Sequence, residues 1–337
     1  MRRMDLAELE ARANEVMDGA ARSYVERGAG ANATRDANQS AWAAWRLRPH
    51  VLRDVGRVDT ATTVLGVPVQ IPVLVAPTAM QTLAHPQGER ATARAAATCG
   101  TVYVASMAAS QPWRAIAAAA GAWFAQFYLL RDRGQTRALA DDAAELGARA
   151  LVVSVDGAAV PYGDARRSAD AIVLPDDVRS LVDTFDPSVT LRDVLEVRDW
   201  SPLPVVVKGV LRGDDARACI DAGVDAVYVS NHGGRLVDGC VDTAAALAEV
   251  VAAVDGRAPV LVDGGIRSGV DVLCALALGA QAVLLGRPVW WGLALDGEGG
   301  AAAVLDAFTV ELRRAMAFCG AATLADVTRD LLLPSPR

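Results

Sequence analysis

The chain has almost no lysine. Of its 337 residues 33 are basic, and only Lys208, in "LPVVVKG" at the end of an apolar run, is not an arginine. Aromatics are scarce too, at 5% against 53% hydrophobic residues, so the core is built from Ala, Val and Leu, which suits many interlocked α/β elements. There is no basic run and the net charge is −7, which argues against a nucleic-acid surface, because such surfaces cluster cations against phosphates. The five cysteines (Cys99, Cys219, Cys240, Cys274, Cys319) form no CxxC pair and no zinc spacing. No metal site is expected, and the thiols read as small buried hydrophobes in a reduced, cytoplasmic setting. No window of about 18 uncharged apolar residues occurs, and the basic start soon turns charged and amphipathic, so neither a membrane helix nor a signal peptide is expected.

What is present is repetition. Eight apolar runs recur at 71–77, 101–106, 123–129, 150–156, 203–209, 226–232, 259–265 and 282–288. They are continuous rather than alternating, as parallel strands covered on both faces require. Ala-rich segments of helical spacing separate them, at 87–98, 111–120, 134–147, 213–222, 242–254, 269–278 and within 300–318. Eight strand–helix units make the α/β class and a (β/α)8 barrel the expected fold, as one domain over 1–337 with the barrel at 71–320. Ahead of it, 5–27 reads as one helix and 58–70 as a hairpin that plugs the barrel floor. The connection 157–202, with Pro161, Pro175, Pro187 and Pro202, is longer than the others and reads as a lid loop with one helix over 189–198.

In such a barrel the C-terminal strand ends carry chemistry. Pro77, Thr78, Ala79, Ser106, Gln126, Tyr128, Ser154, Asp156, Lys208, Asn231, His232, Asp263, Gly264, Gly265, Gly286 and Arg287 fall there. "LVDGGIRSG" and "LLGRP" place Gly264, Gly265, Gly286, Arg267 and Arg287 where barrels hold phosphate, the alternative being two ordinary turns. Of three histidines, His50 precedes the barrel and His85 opens a helix, which leaves His232 in "VSNHGGRLVDG" as the general base or a structural histidine. Asp156 could orient it. Arg235, with Arg166 or Arg167, could grip a carboxylate in a bidentate fork, although the latter two could equally be a solvated loop pair. Lys208 admits three readings: a salt bridge, a Schiff-base nucleophile, or a fixed cation beside a cofactor that becomes anionic.

From about residue 20 to 320 the chain resembles the FMN-dependent 2-hydroxy acid oxidases and dehydrogenases, through "APTAMQTLAHPQGERATARAA", "FAQFY", "VVVKGV", "VSNHGGRLVDG" and "VLVDGGIRSGVDVLCALALGAQAVLLGRP". The resemblance implies FMN as cofactor, a small 2-hydroxy acid as substrate, O2 as oxidant and a homo-oligomer, tetramer or octamer. It makes His232 the base and Asp156 its partner. Arg235, Arg167 and Tyr24 become the carboxylate site, and Tyr128 the partner of the substrate hydroxyl. Pro77, Thr78 and Ala79 fall near the reactive edge of the flavin, with Gln126 and Ser154 at the ring. Ser106 belongs to the same cofactor set. Lys208 faces flavin N1 and the C2 carbonyl, while Asp263, Gly265, Arg267, Gly286 and Arg287 form the ribityl-phosphate site.

Three departures bear on the substrate. "DGAAVPYGDARR" is longer than the family's Asp-Thr-Pro-x-x-Gly-Arg-Arg, the lid after it is shorter than in glycolate oxidase, and Ala105 and Met107 stand where a serine and a tryptophan are common. They suggest a pocket reshaped for a larger or aromatic 2-hydroxy acid such as mandelate or 4-hydroxymandelate. An electron-transferring dehydrogenase, a Schiff-base lyase acting through Lys208, and an FMN-binding protein without turnover are the alternatives.

Overall fold

The computed structural model describes residues 6–157 and 181–334. Arg166 and Arg167, and half of the expected lid, lie outside the described residues. Eight parallel strands close a barrel: β4 (Val73–Val75), β5 (Val102–Ser106), β6 (Ala122–Tyr128), β7 (Leu151–Ser154), β8 (Val205–Val210), β9 (Ala226–Val229), β10 (Val260–Val262) and β11 (Ala282–Leu285). Each pairs with its neighbour in sequence, and β11 closes onto β4. All eight expected strands are present. Before them stand β1 (Trp45–Leu47) and the hairpin β2 (Thr62–Val64) and β3 (Val67–Val69).

Burial on both faces explains the unbroken apolar runs, yet the two faces pack differently. Val73, Val75, Tyr103, Ala105, Ala125, Val153, Val205, Val207 and Val227 pack outward among the helices. Leu74, Val102, Val104, Phe124, Val152, Val206, Leu261 and Leu284 point into the barrel. There they meet Val64, Val67 and Val69 of the hairpin, which plugs the floor as expected. Its turn places Leu65 and Gly66 at φ +48° and +77°, the twist that a two-residue hairpin needs.

Each expected helix forms, with two changes of extent. Residues 5–27 split into α1 (Leu6–Val16) and α2 (Gly19–Glu26), because the Asp18 carboxylate accepts from the Ala21 amide at 2.8 Å and caps a new helix. The last helix begins at Arg287, directly after β11, and runs to Phe318 with a break at Asp296 and Gly297, which have non-helical dihedrals. A third helix, α3 (Ala33–Trp42), has no counterpart in the sequence reading. Its buried positions are Thr34, Asn38 and Trp42, so the seam that docks it is mostly polar and leaves no apolar stripe. Asn38 and Asn231 exchange amide hydrogen bonds at 2.8 Å in both directions, and the Trp42 indole donates to the Gly264 carbonyl at 2.8 Å. β12 (Leu332–Pro334) pairs with β1 and ties the far end of the chain to the same arm. The five cysteines are free thiols, with Cys219, Cys274 and Cys319 buried.

The docking of α3 explains Gly265. A β-carbon there would lie 2.0 Å from the Asn38 carbonyl oxygen, a backbone atom that cannot step aside. Gly66 has almost the same φ, but nothing within 4 Å of the added carbon. Alanine at either position therefore incurs about 1–2 kcal/mol for left-handed backbone. At Gly265 overpacking adds about 1–3 kcal/mol more. Chemical denaturation of Gly66→Ala and Gly265→Ala should show the second clearly less stable; equal losses would mean that α3 does not dock so closely.

Candidate active site

Above the apolar layers the inward face turns polar without a change of register. Two residues after Val104, Phe124, Val152 and Val206 come Ser106, Gln126, Ser154 and Lys208, all buried and all still pointing inward. The ladder sets them side by side: Ser106 pairs with Gln126, and Ser154 with Lys208. Asp263 follows Leu261 in the same way and accepts from the Tyr228 hydroxyl at 2.7 Å. This layer floors a cavity with about 1290 Å³ of empty space, its open mouth included. The sequence-predicted site residues line it except Asp156, which lies one contact behind, Asn231, which pairs with Asn38, and Arg166 and Arg167, which are outside the described residues.

Asp156 Oδ2 is 3.1 Å from His232 Nδ1 and 3.2 Å from Lys208 Nζ, and Nζ and Nδ1 are themselves 3.4 Å apart. Gly209 makes this approach possible. It sits at φ +110° in a bulge between Lys208 and Val210, and a β-carbon there would come within 2.6 Å of Asp156 Cβ. His232 itself has φ +57°, a left-handed conformation held by its amide donating to Ser230 Oγ at 3.0 Å. Burial opposes ionisation of Asp156, but the Lys208 ammonium and His232 outweigh it and hold the carboxyl well below its usual range. An ionised carboxylate only accepts, so Nδ1 carries the proton and Nε2 is the basic nitrogen left to the cavity. Burial and then Lys208 lower the His232 pKa below 6.5, against the opposite pull of Asp156. Lys208 is thus a fixed, ion-paired cation at the cavity wall.

Tyr24 and Arg235 come together from α2 and the loop after β9. The guanidinium carbon lies 4.8 Å over the Tyr24 ring, and Nη1 donates to the Tyr24 and Arg27 carbonyls. Part of the fork expected for a substrate carboxylate is therefore used to hold the N-terminal arm. Burial pushes the Tyr24 phenol up, which keeps it a neutral donor. The Tyr128 ring stacks on Phe185 with centroids 4.3 Å apart. Behind it Gly157 leaves room, since a β-carbon there would meet Tyr128 Cε1 at 2.7 Å and its hydroxyl at 3.0 Å. Ala105 faces the helices, so its replacement of a serine does not alter the cavity, contrary to expectation. Met107 packs with Tyr128, Leu130 and Phe185, and Ala108 takes the lining position.

Gln126 Nε2 donates to Ser154 Oγ at 3.0 Å. The Pro77–Ala79 segment is held by a residue to which the sequence assigned no role: Gln81 donates from Nε2 to the Thr78 carbonyl at 3.1 Å and to Thr78 Oγ1 at 2.8 Å. Behind it the fully buried Glu89 accepts from the Gln81 and Ser110 amides. Both lie in the "APTAMQTLAHPQGERATARAA" motif, and only the fold shows what they hold.

At the far end, Arg287 donates to the Val25, Gly233 and Arg27 carbonyls, while Arg267 stands 5.1 Å from the Trp291 ring centre. Burial, then Arg235 and Arg267, push the Arg287 pKa down to about 9, against the pull of Glu26. Among the described residues, buried Arg267 Nε and Asp263 Oδ1 have no hydrogen-bond partner. A polyol phosphate supplies both deficits, hydroxyls for the carboxylate and a dianion for the arginines. The residues therefore fit FMN. At Gly264 and Gly265 a β-carbon would also meet Thr243 and α3 respectively.

The family model described as FMN-dependent dehydrogenase matches residues 13–334. An L-lactate oxidase of Nostoc sp. is 39% identical over 357 residues, covering 98% of both chains. A crystal structure of mandelate oxidase is 39% identical, with a TM-score of 0.91 and 97% of both chains covered. The same enzyme with (S)-4-hydroxymandelic acid gives 38% and 0.89, over 97% of this chain and 98% of the other. With its closed parallel barrel and a cavity that fits FMN, the chain belongs to the FMN-dependent dehydrogenase family and is an FMN enzyme.

Proposed function

We propose that the protein oxidises an (S)-2-hydroxy acid with an aromatic side chain, mandelate or 4-hydroxymandelate, to the 2-oxo acid, with O2 as the final oxidant and H2O2 as co-product. The observation that carries the reaction type is the Asp156–His232 pair, which leaves one basic nitrogen facing a cavity that also presents Lys208 and Arg235. Identity does not choose the substrate, because relatives of equal likeness are named for lactate and for mandelate. The wall beside Tyr128 favours the aromatic choice: Phe185 and Val182 are apolar, and Ala108 is small.

Bound FMN supplies a two-electron acceptor. Arg235 and Tyr24, joined by Arg167, hold the substrate carboxylate, and Tyr128 meets the 2-hydroxyl. His232 Nε2 takes a proton as two electrons leave the substrate, and Asp156 stabilises the imidazolium through Nδ1–H. With the cofactor bound, Gln126 and Ser154 would hold the ring and Lys208 would set a positive charge beside it, offsetting negative charge gained there. Asp263, Arg267 and Arg287 anchor the ribityl phosphate. Two hydrogens leave the substrate, and both end on the peroxide.

Because the base must be neutral, kcat/KM should be flat at neutral pH and fall on acidification with a midpoint below 6.5, following the lowered His232 pKa. His232→Ala should lower kcat/KM by about 10²–10⁴-fold. A midpoint above 6.5 would contradict the assigned environment. The yellow enzyme should bleach anaerobically with mandelate or 4-hydroxymandelate faster than with glycolate or lactate, and form stoichiometric peroxide in air. Bleaching without peroxide would indicate a different electron acceptor. Lys208→Arg should weaken FMN binding or slow its reduction, because the planar guanidinium cannot occupy the ammonium's place between Asp156 and the cavity; unchanged affinity and rate would remove Lys208 from the cofactor site.

A further inference from the structure

We infer that Phe185 is the residue that selects the substrate side chain, and that Arg133, outside the cavity, is the positioning residue that sets it there. The inference rests on the aromatic 2-hydroxy acid reading above and gives it a structural cause.

Residues 184–186 belong to the 157–202 connection and lie antiparallel along the exit of β6. Arg131 N donates to the Thr184 carbonyl at 2.9 Å, Asp186 N donates to the Leu129 carbonyl at 3.0 Å, and Leu130 and Phe185 form an isolated bridge. Side chains alternate along an extended segment, so fixing Thr184 and Asp186 aims Phe185 at the neighbouring strand end. Its ring lies 20° from the plane of Tyr128 and forms part of the cavity wall. Tyr128 is the residue read as meeting the substrate hydroxyl. The substituent on the same carbon then falls beside the Tyr128–Phe185 stack, where a phenyl ring finds a flat apolar face. A methyl group is too short to use it.

A two-residue bridge is too small to hold this segment, and Arg133 completes it. Its Nη2 donates to Asp186 Oδ2 and to Asp193 Oδ1, both at 2.7 Å, and Nη1 donates to the Leu130 carbonyl at 2.5 Å. The remaining carboxylate oxygens are also engaged. Asp186 Oδ1 accepts from Ser188 N and Oγ, and Asp193 Oδ2 accepts from Thr190 N and Oγ1, where it caps the helix Leu191–Trp200. One guanidinium thus joins the end of β6, the Phe185 segment and that helix. All three side chains are largely shielded from water, so this is a geometric clamp rather than a loose surface pair. Arg133 does not reach the cavity lining.

The test uses FMN-loaded enzyme and compares kcat/KM for (S)-mandelate with that for (S)-lactate. Phe185→Ala should lower the mandelate-to-lactate ratio about 10–100-fold. Phe185→Leu, which keeps most of the volume but loses the planar face, should fall between and decides the matter if the alanine variant does not fold. Arg133→Ala should raise KM for mandelate with kcat retained, and Arg133→Lys, still able to bridge one carboxylate, should recover part of the loss. A binding readout follows from titrating the oxidised flavin spectrum with phenylacetate and with acetate: phenylacetate affinity should drop in Phe185→Ala and Arg133→Ala, and acetate affinity should not follow it. Wild-type preference for lactate would overturn the aromatic reading and this inference with it. A wild-type preference for mandelate that persists in Phe185→Ala would overturn this inference alone, and loss of thermal stability in Arg133→Ala without a change in KM or phenylacetate affinity would reduce Arg133 to a structural brace.

Discussion

One carboxylate oxygen, Asp156 Oδ2, sits within hydrogen-bond reach of both Lys208 and His232, and the active end of the barrel is arranged around it. A buried ammonium and a buried carboxylate each incur a large desolvation cost and are tolerated because they face each other. The pairing fixes Asp156 as an anion, which fixes the histidine tautomer. Other features serve the same contact: the bulge at Gly209 that admits Asp156, and the left-handed His232 that brings Nδ1 round to it. Strain of that kind persists only where the surroundings impose it. Here the reciprocal amides of Asn38 and Asn231, one residue before His232, supply the constraint.

That link makes the N-terminal arm part of the site rather than an appendage. Arg287 and Arg235 donate to carbonyls of α2 and the residues after it, and α3 packs against Gly265. The cations proposed to hold phosphate and carboxylate therefore also fasten the arm over the cavity. Crowding of Arg235, Arg267 and Arg287 is sustained by the carboxylates of Glu10 and Glu26 around Arg267, and a bound dianion relieves it further.

The barrel was legible because eight apolar runs and their helices repeat, and repetition survives even when single boundaries shift. The polar layer was legible as well, since Ser106, Gln126, Ser154 and Lys208 are polar residues that end or interrupt such runs. α3 was not, because two of the three positions it buries are Thr34 and Asn38, and hydrophobic periodicity cannot report a mostly polar seam. Ala105 was given weight at the cavity that its outward side-chain direction denies, a one-residue question of face that a run buried on both sides hides. Phe185 and Arg133 act through contacts distant in sequence, while Gln81 and Glu89 act through short-range hydrogen bonds, and no local pattern marks any of them. Of the three readings of Lys208, the structure shows an ion pair with Asp156 at the cavity wall, and the role beside the cofactor is the one proposed.

The most direct measurement of the central claim is the state of the His232 imidazole itself. Nitrogen-15 spectra of the FMN-loaded, substrate-free enzyme, assigned with His50→Gln and His85→Gln, should show His232 neutral near pH 7 with its proton on Nδ1, and charging only below pH 6.5. A proton on Nε2, or an imidazolium at neutral pH, would contradict the shared carboxylate as the element that prepares this site.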